Sequence, residues 1–197
     1  MTVDSAAAIS RESLNQLPVQ RYEGVIHFID TPALLHAARN DILQEQVVGL
    51  DTETRPAFRK GESYLPSIVQ VATARAAYIF PLRYTDTHGL IDEMLGSQQI
   101  AKAGVSLAYD LRTLKQVMPF HERHIVDLGI VAKRQGYEQS GVRNLAGLLL
   151  GYRIPKGAKT TNWSAPQLTP AQIAYAATDA WVCRELYQKF VASGLID

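Results

Sequence analysis

Cysteine is nearly absent: Cys183 is the one sulfhydryl in 197 residues. A lone cysteine excludes an intramolecular disulfide and a cysteine-built zinc site, and it suits a reducing, cytoplasmic compartment. No run of 18 apolar residues occurs, so no membrane-spanning helix is expected. Asp4 comes early and no basic segment precedes an apolar one, unlike a secretory leader. Excess charge is missing too: 20 Lys and Arg against 19 Asp and Glu leave +1. At face value, that balance argues against a nucleic-acid partner. What is present, 47% hydrophobic and 20% charged residues over this length, suits one globular domain able to bury a core and excludes disorder.

The near-zero total hides an asymmetry. Residues 111–160 carry nine basic and three acidic side chains, whereas residues 1–50 carry three and six. One basic stretch in a mildly acidic chain suggests a polyanion on one face. Solvated helix faces give the same count, so the charge needs chemistry beside it.

Residues 1–20 read as a loose arm or an added short helix, and residues 21–197 as a single domain. Val25–Ile29 reads as a strand, and Thr31-Pro32 as a helix start. Val47–Thr54, Ser67–Ala72 and Ala76–Phe80 are strands close enough to pair as an antiparallel meander. Helix and strand then alternate: helix Gly89–Leu95, strand Ile100–Val105, helix Leu107–Met118, strand Ile125-Val126, and helix Leu128–Arg134. A helix Val142–Leu150 stops at Gly151, and Pro170 opens a long last helix to about Ala192. The fold class is therefore α/β, with a mixed sheet that is first antiparallel and then parallel, flanked by helices.

Three segments hold acids that can do chemistry. Asp51 and Glu53 end the strand VVGLDTE, and residues two apart on a strand share a face. Two carboxylates that close repel unless a cation lies between them, and hard oxygen donors suit Mg²⁺ or Mn²⁺. Tyr175 and Asp179 lie four apart on the last helix and so share one face. Asp110 begins a helix just after a strand. Each pattern alone has an ordinary structural explanation: a solvated strand end, an amphipathic helix, or an acid at a helix dipole.

Taken together, VVGLDTET, KAGVSLAYD and YAATDAW, with LPSIVQVA and NWS between them, resemble the DEDDy 3′–5′ exonucleases. This is the ribonuclease D and Werner-type branch of the ribonuclease H-like fold, and the resemblance covers about residues 22–192. It implies that Asp51, Glu53, Asp110 and Asp179 hold two divalent metal ions, Mg²⁺ or Mn²⁺, with Asp51 shared between them. It implies that Tyr175 positions the attacking water beside Glu53, and that the chain releases nucleoside 5′-monophosphates from the 3′ end of DNA or RNA. The family's second motif often has Asn where this chain has Ser106. Substrate contacts are expected from Thr52, Arg55, Phe58, Leu107, Tyr109, Arg143, Lys156 and Lys159, with Arg153 a further phosphate candidate. Trp163 is expected to anchor its loop, Cys183 to be buried, and the five histidines to be structural. A non-catalytic nucleic-acid-binding module of the same fold, and a hydrolase of very short oligonucleotides, are the alternatives.

Overall fold

The computed structural model of the protein describes residues 8–157 and 160–196. Seven α-helices and six strands follow in the order α1 (Arg11–Gln16), β1 (Val25–Phe28), α2 (Pro32–Ile42), β2 (Val47–Thr54), β3 (Pro66–Ala72), β4 (Ala76–Pro81), α3 (His88–Gly96), β5 (Ala101–Gly104), α4 (Leu107–Leu114), β6 (Ile125–Asp127), α5 (Leu128–Arg134), α6 (Val142–Leu145) and α7 (Pro170–Ala192). The strands form one sheet in the order β1-β4-β3-β2-β5-β6. β2, β3 and β4 pair antiparallel, as their short connections require. β5 lies parallel to β2, and β6 parallel to β5, each reached through a helical crossover. β1 lies at the far edge, parallel to β4, a placement the sequence pattern does not specify.

Side-chain alternation sorts the core into two layers. On one face Val48, Leu50, Val69, Val71, Tyr78 and Phe80 pack under α2, α3 and α4. On the other, Val47, Ala101 and Ala103 pack with α5, α6 and the Val182–Phe190 part of α7, and Ile68 and Ile79 meet Trp163 and Ala176. α7 starts from a reciprocal cap: the Thr169 hydroxyl accepts from Gln172 N–H, the Gln172 side chain accepts from Thr169 N–H, and Pro170 takes the first turn. Its middle is small, with Ala176, Ala177 and Ala180 all fully buried, so the helix can lie close to the sheet.

Two helices differ from the sequence pattern. The periodic run to Met118 ends as helix at Leu114 and continues as turns. The run Val142–Leu150 is α-helical only to Leu145, then forms a π turn over Ala146–Leu150 ended by Gly151 at φ 73°.

Of residues 1–20, residues 1–7 lie outside the described residues, and the remainder includes the short helix α1. Ser10 caps α1, Leu14 is buried, and a Cβ on Gly147 would lie 2.5 Å from Leu14 Cδ1. Val19 pairs with Arg153, and Arg153 Nε donates to Leu17 O at 3.1 Å. That guanidinium therefore ties the N-terminal segment to the body of the protein.

Candidate metal and nucleic-acid site

β2 is buried along most of its length. Val48 and Leu50 point into the α2–α4 layer, so Gly49, Asp51 and Glu53 point to the α7 side. There α7 comes so close that a Cβ on Gly49 would lie 2.9 Å from both Ala180 C and Arg184 N, and nearer still to Ala180 O. Asp179 precedes Ala180 in the chain. The close approach therefore carries Asp179 to the end of β2, where one carboxylate oxygen each from Asp51, Glu53 and Asp179 lies within 4.8 Å of the others. Glu53 and Asp179 are 7% and 6% exposed, so this negative charge is poorly hydrated.

Asp110 arrives from the opposite face. It lies in the first turn of α4, and its Oδ1 accepts from the Thr52 hydroxyl at 2.7 Å. Thr52 has the opposite parity from Asp51 and Glu53, which is why it meets α4 rather than α7. Asp110 thus lines the same cleft without joining the three-carboxylate cluster. The turn before α4 is held by Asp127, whose carboxylate accepts from Ser106 N–H at 3.2 Å and Leu107 N–H at 3.0 Å while also capping α5. Ser106 has φ 64°, a left-handed conformation in which Asn is more at home than Ser. Nothing in the local sequence marks Thr52 as the partner of Asp110 or Asp127 as the anchor of the turn before α4. The only signal for Asp127 is an acid between a short strand and a helix, the ordinary mark of an N-cap.

Burial pushes the Asp51 carboxyl well above its ordinary value, and Asp179, Glu53 and Asp110 push it further. The group resists ionisation because like charges share a site that water barely reaches. The Tyr175 hydroxyl, hydrogen-bonded to Asp179, is pushed up for the same reasons: burial first, then Asp179 and Glu53. It stays protonated near neutral pH and acts as a donor. Cys183, one turn after Asp179, lines the cleft from below, and its thiol is also pushed up, first by burial. An all-oxygen set of mutually repelling carboxylates, eased when a cation lies between them, fits a hard divalent metal.

The cleft above these acids encloses about 670 Å³. Of the expected substrate contacts, Thr52, Arg55, Tyr109 and Arg143 line it. Arg55 lies over the Tyr64 ring at 4.7 Å, and Arg112 over the Tyr109 ring at 5.2 Å. Phe58 is 79% exposed on the β2–β3 loop and outside the cleft walls. Leu107 corrects the expectation: at 1% exposed it packs in the α2–α4 layer, because the first apolar residue of an amphipathic helix turns inward, so it offers no surface to a base. Lys156 lines a recess beside Tyr175 and Asp179 rather than the acid cleft itself, and Lys159 lies outside the described residues. Trp163 is fully buried, its ring 6.1 Å from that of Tyr175, so it supports the site from behind. No helix among the described residues is long and apolar enough to cross a membrane.

Comparison with known proteins agrees with this geometry. A protein-family model described as 3′–5′ exonuclease matches residues 26–193. Ribonuclease D of Haemophilus influenzae is 32% identical over 162 residues, which is 80% of this chain but 39% of that protein. The chain therefore spans well under half the length of that relative. Among solved structures, the Aedes aegypti Nibbler EXO domain superposes with a TM-score of 0.76 at 19% identity, covering 89% of this chain and 93% of that one. Trypanosoma brucei RNase D in complex with RNA U12 has a TM-score of 0.76 at 16% identity, covering 86% and 63%. These likenesses show that the fold is shared with the Nibbler EXO domain and RNase D. The matched residues span the strand with Asp51 and Glu53, the turn with Asp110 and the helix with Tyr175 and Asp179, and the chain belongs to the 3′–5′ exonuclease family.

Proposed function

We propose that the chain hydrolyses the last phosphodiester at the 3′ end of a nucleic-acid strand and releases nucleoside 5′-monophosphates. One observation carries this reading: three carboxylates from two elements converge within 4.8 Å at a buried strand end, where their mutual repulsion favours a cation between them. Asp51, Glu53 and Asp179, with Asp110 through its position over Thr52, would hold two Mg²⁺ or Mn²⁺ ions. Such ions supply an acidified water and relieve charge on the leaving 3′ oxygen.

The protein's own residues do the placing. Gly49 lets α7 lie against β2, which sets Asp179 opposite Asp51 and Glu53. Thr52 holds Asp110 in one orientation through its hydroxyl. Tyr175 keeps its proton near neutral pH, so it orients the attacking water by hydrogen bonding and does not accept the proton. Arg55, Tyr109 and Arg143 face the cleft as the groups that would meet the terminal phosphates and bases, with Phe58 exposed on the neighbouring loop. The relatives named ribonuclease D, and the RNA-bound neighbour, support an RNA strand as the first substrate to try.

The test is a degradation assay with Mn²⁺ or Mg²⁺ on 3′-labelled and 5′-labelled single-stranded RNA, single-stranded DNA and recessed duplex. Release of labelled mononucleotide from the 3′-labelled strand, abolished in Asp51→Asn, is the expected result. No degradation of any strand, or equal activity in Asp51→Asn, overturns the reading. Fast cleavage of a dinucleotide with none of a ten-mer turns it into the short-oligonucleotide alternative.

A further inference from the structure

A second cleft, of about 540 Å³, opens beside the acid cleft between α1 and α6. The two adjoin: Gly141, Val142 and Arg143 form walls of both. Lys156 is a wall of the second cleft and also of the recess beside Tyr175 and Asp179. Its charged walls are Arg11, Arg143 and Lys156, and its other polar walls are the amides of Asn15, Gln139 and Asn144. Glu12 and Glu138, the acids nearest in sequence, are not on its walls. A cleft that adjoins an acidic centre, and whose described walls carry three cations and no acid, has the charge pattern needed for a polyanionic strand.

α1 is fixed firmly enough to hold Arg11 at that wall. Ile9 N–H donates to Gln139 Oε1 at 3.0 Å, and Leu14 sits over Gly147, where no side chain stands in its way. Further along, Gln20 N–H donates to Arg153 O and Arg153 N–H to Pro18 O, each at 2.9 Å. Arg11 lies N-terminal to residues 26–193, which match the family model.

We propose that the strand whose 3′ end occupies the acid cleft continues into the α1–α6 cleft, where Arg11, Arg143 and Lys156 grip the phosphates 5′ of the scissile bond. The inference rests on the exonuclease reading and adds the path of the substrate. Among the described residues no aromatic side chain lines the second cleft, so it grips backbone and stacks no base. Binding there depends on strand length and salt and is indifferent to base sequence.

The experiment measures affinity without turnover, in full-length protein carrying Asp51→Asn, for fluorescent strands of two and ten nucleotides over a range of salt. The ten-mer is expected to bind at least tenfold tighter than the dinucleotide. Adding Arg11→Glu should remove most of that advantage, with a fivefold or greater loss on the ten-mer. Arg11→Gln should give an intermediate loss and make the log–log salt slope shallower by about 0.7, the value for one phosphate contact on a single strand. A melting curve identifies a charge reversal that unsettles α1, in which case the neutral Gln variant decides. Ten-mer affinity and salt slope unchanged in Arg11→Gln overturn the inference. The degradation assay reports separately: strands degraded by the wild-type protein, with ten-mer binding insensitive to Arg11, would leave the exonuclease reading intact and remove this one.

Discussion

Gly49→Ala puts one methyl group at the contact that assembles the site. The added Cβ would lie 2.9 Å from Ala180 C and Arg184 N, about 0.5 Å inside ordinary van der Waals contact, and deeper inside contact with Ala180 O. All three atoms are helix backbone, so no side chain can rotate away to relieve the clash. Either α7 lifts from β2 or β2 bows away from α7. Overpacking of this kind costs about 1–3 kcal/mol, which for a chain of this size lowers Tm by roughly 2–4 °C per kcal/mol. Activity should fall further than stability, because Asp179 and Tyr175 ride on the helix that moves. A misplacement near 1 Å costs roughly 10²-fold in rate. Thermal denaturation gives the first quantity. Mononucleotide release, measured well below the lowered Tm, gives the second. Wild-type melting and wild-type turnover in Gly49→Ala would refute the reasoning, since the clash would then be absorbed without moving the acids. Loss of stability with full turnover would show that the site does not depend on the seating of α7.

Other expectations follow from the charges. Folding raises the Asp51 carboxyl above its ordinary 3.8, so the folded chain binds its proton more tightly than the unfolded one. Stability from this group is complete below 3.8 and is lost as pH rises through the folded value. Metal-free Asp51→Asn should therefore melt above metal-free wild type at neutral pH, with the gap closing as the pH approaches 4, and should lose the calorimetric signal of Mn²⁺ binding. Tyr175→Phe removes a hydroxyl donor and no carboxylate. Turnover should drop by about 10²-fold or more, the scale of a lost water-positioning contact, while Mn²⁺ affinity measured by calorimetry changes little. Lys102 is fully buried, donates to Ser97 O at 2.6 Å, and is pushed by burial down to about 8. Between that value and 10.5 the unfolded chain holds the proton that the folded one has lost, so this group makes stability rise with pH across that window. The difference in Tm between wild type and Lys102→Met should grow in favour of wild type from pH 8 to pH 10, and a constant difference would contradict it.

Local pattern carried much of the outcome. β2, α5 and α7 span the residues their local patterns delimit, because an apolar run and the Thr169-Pro170 start of α7 are properties of short segments. The resemblance singled out Asp51, Glu53, Asp110, Tyr175 and Asp179, and the structure gathers these residues around one cleft. The parity of β2 also put Asp51 and Glu53 on one face before any tertiary contact was known. The charge asymmetry likewise foreshadowed a basic wall, through Arg143 and Lys156.

Other features depend on what lies across the sheet. That Gly49 is the seat of α7 depends on the backbone of Ala180, 131 positions later, and no local pattern announces it. Leu107 looked available to a base until the α2–α4 layer closed over it. Thr52 became the holder of Asp110, and Arg153 the tie for Leu17, only when distant segments met. The acidic site and the basic cleft show the division most plainly. Sequence alone determined which residues carry charge and on which face of their own element each one lies. The tertiary structure decided which charges share a space, because electrostatic energy depends on distance and burial, and those are set by the packing of α1 and α7 against the sheet and α6.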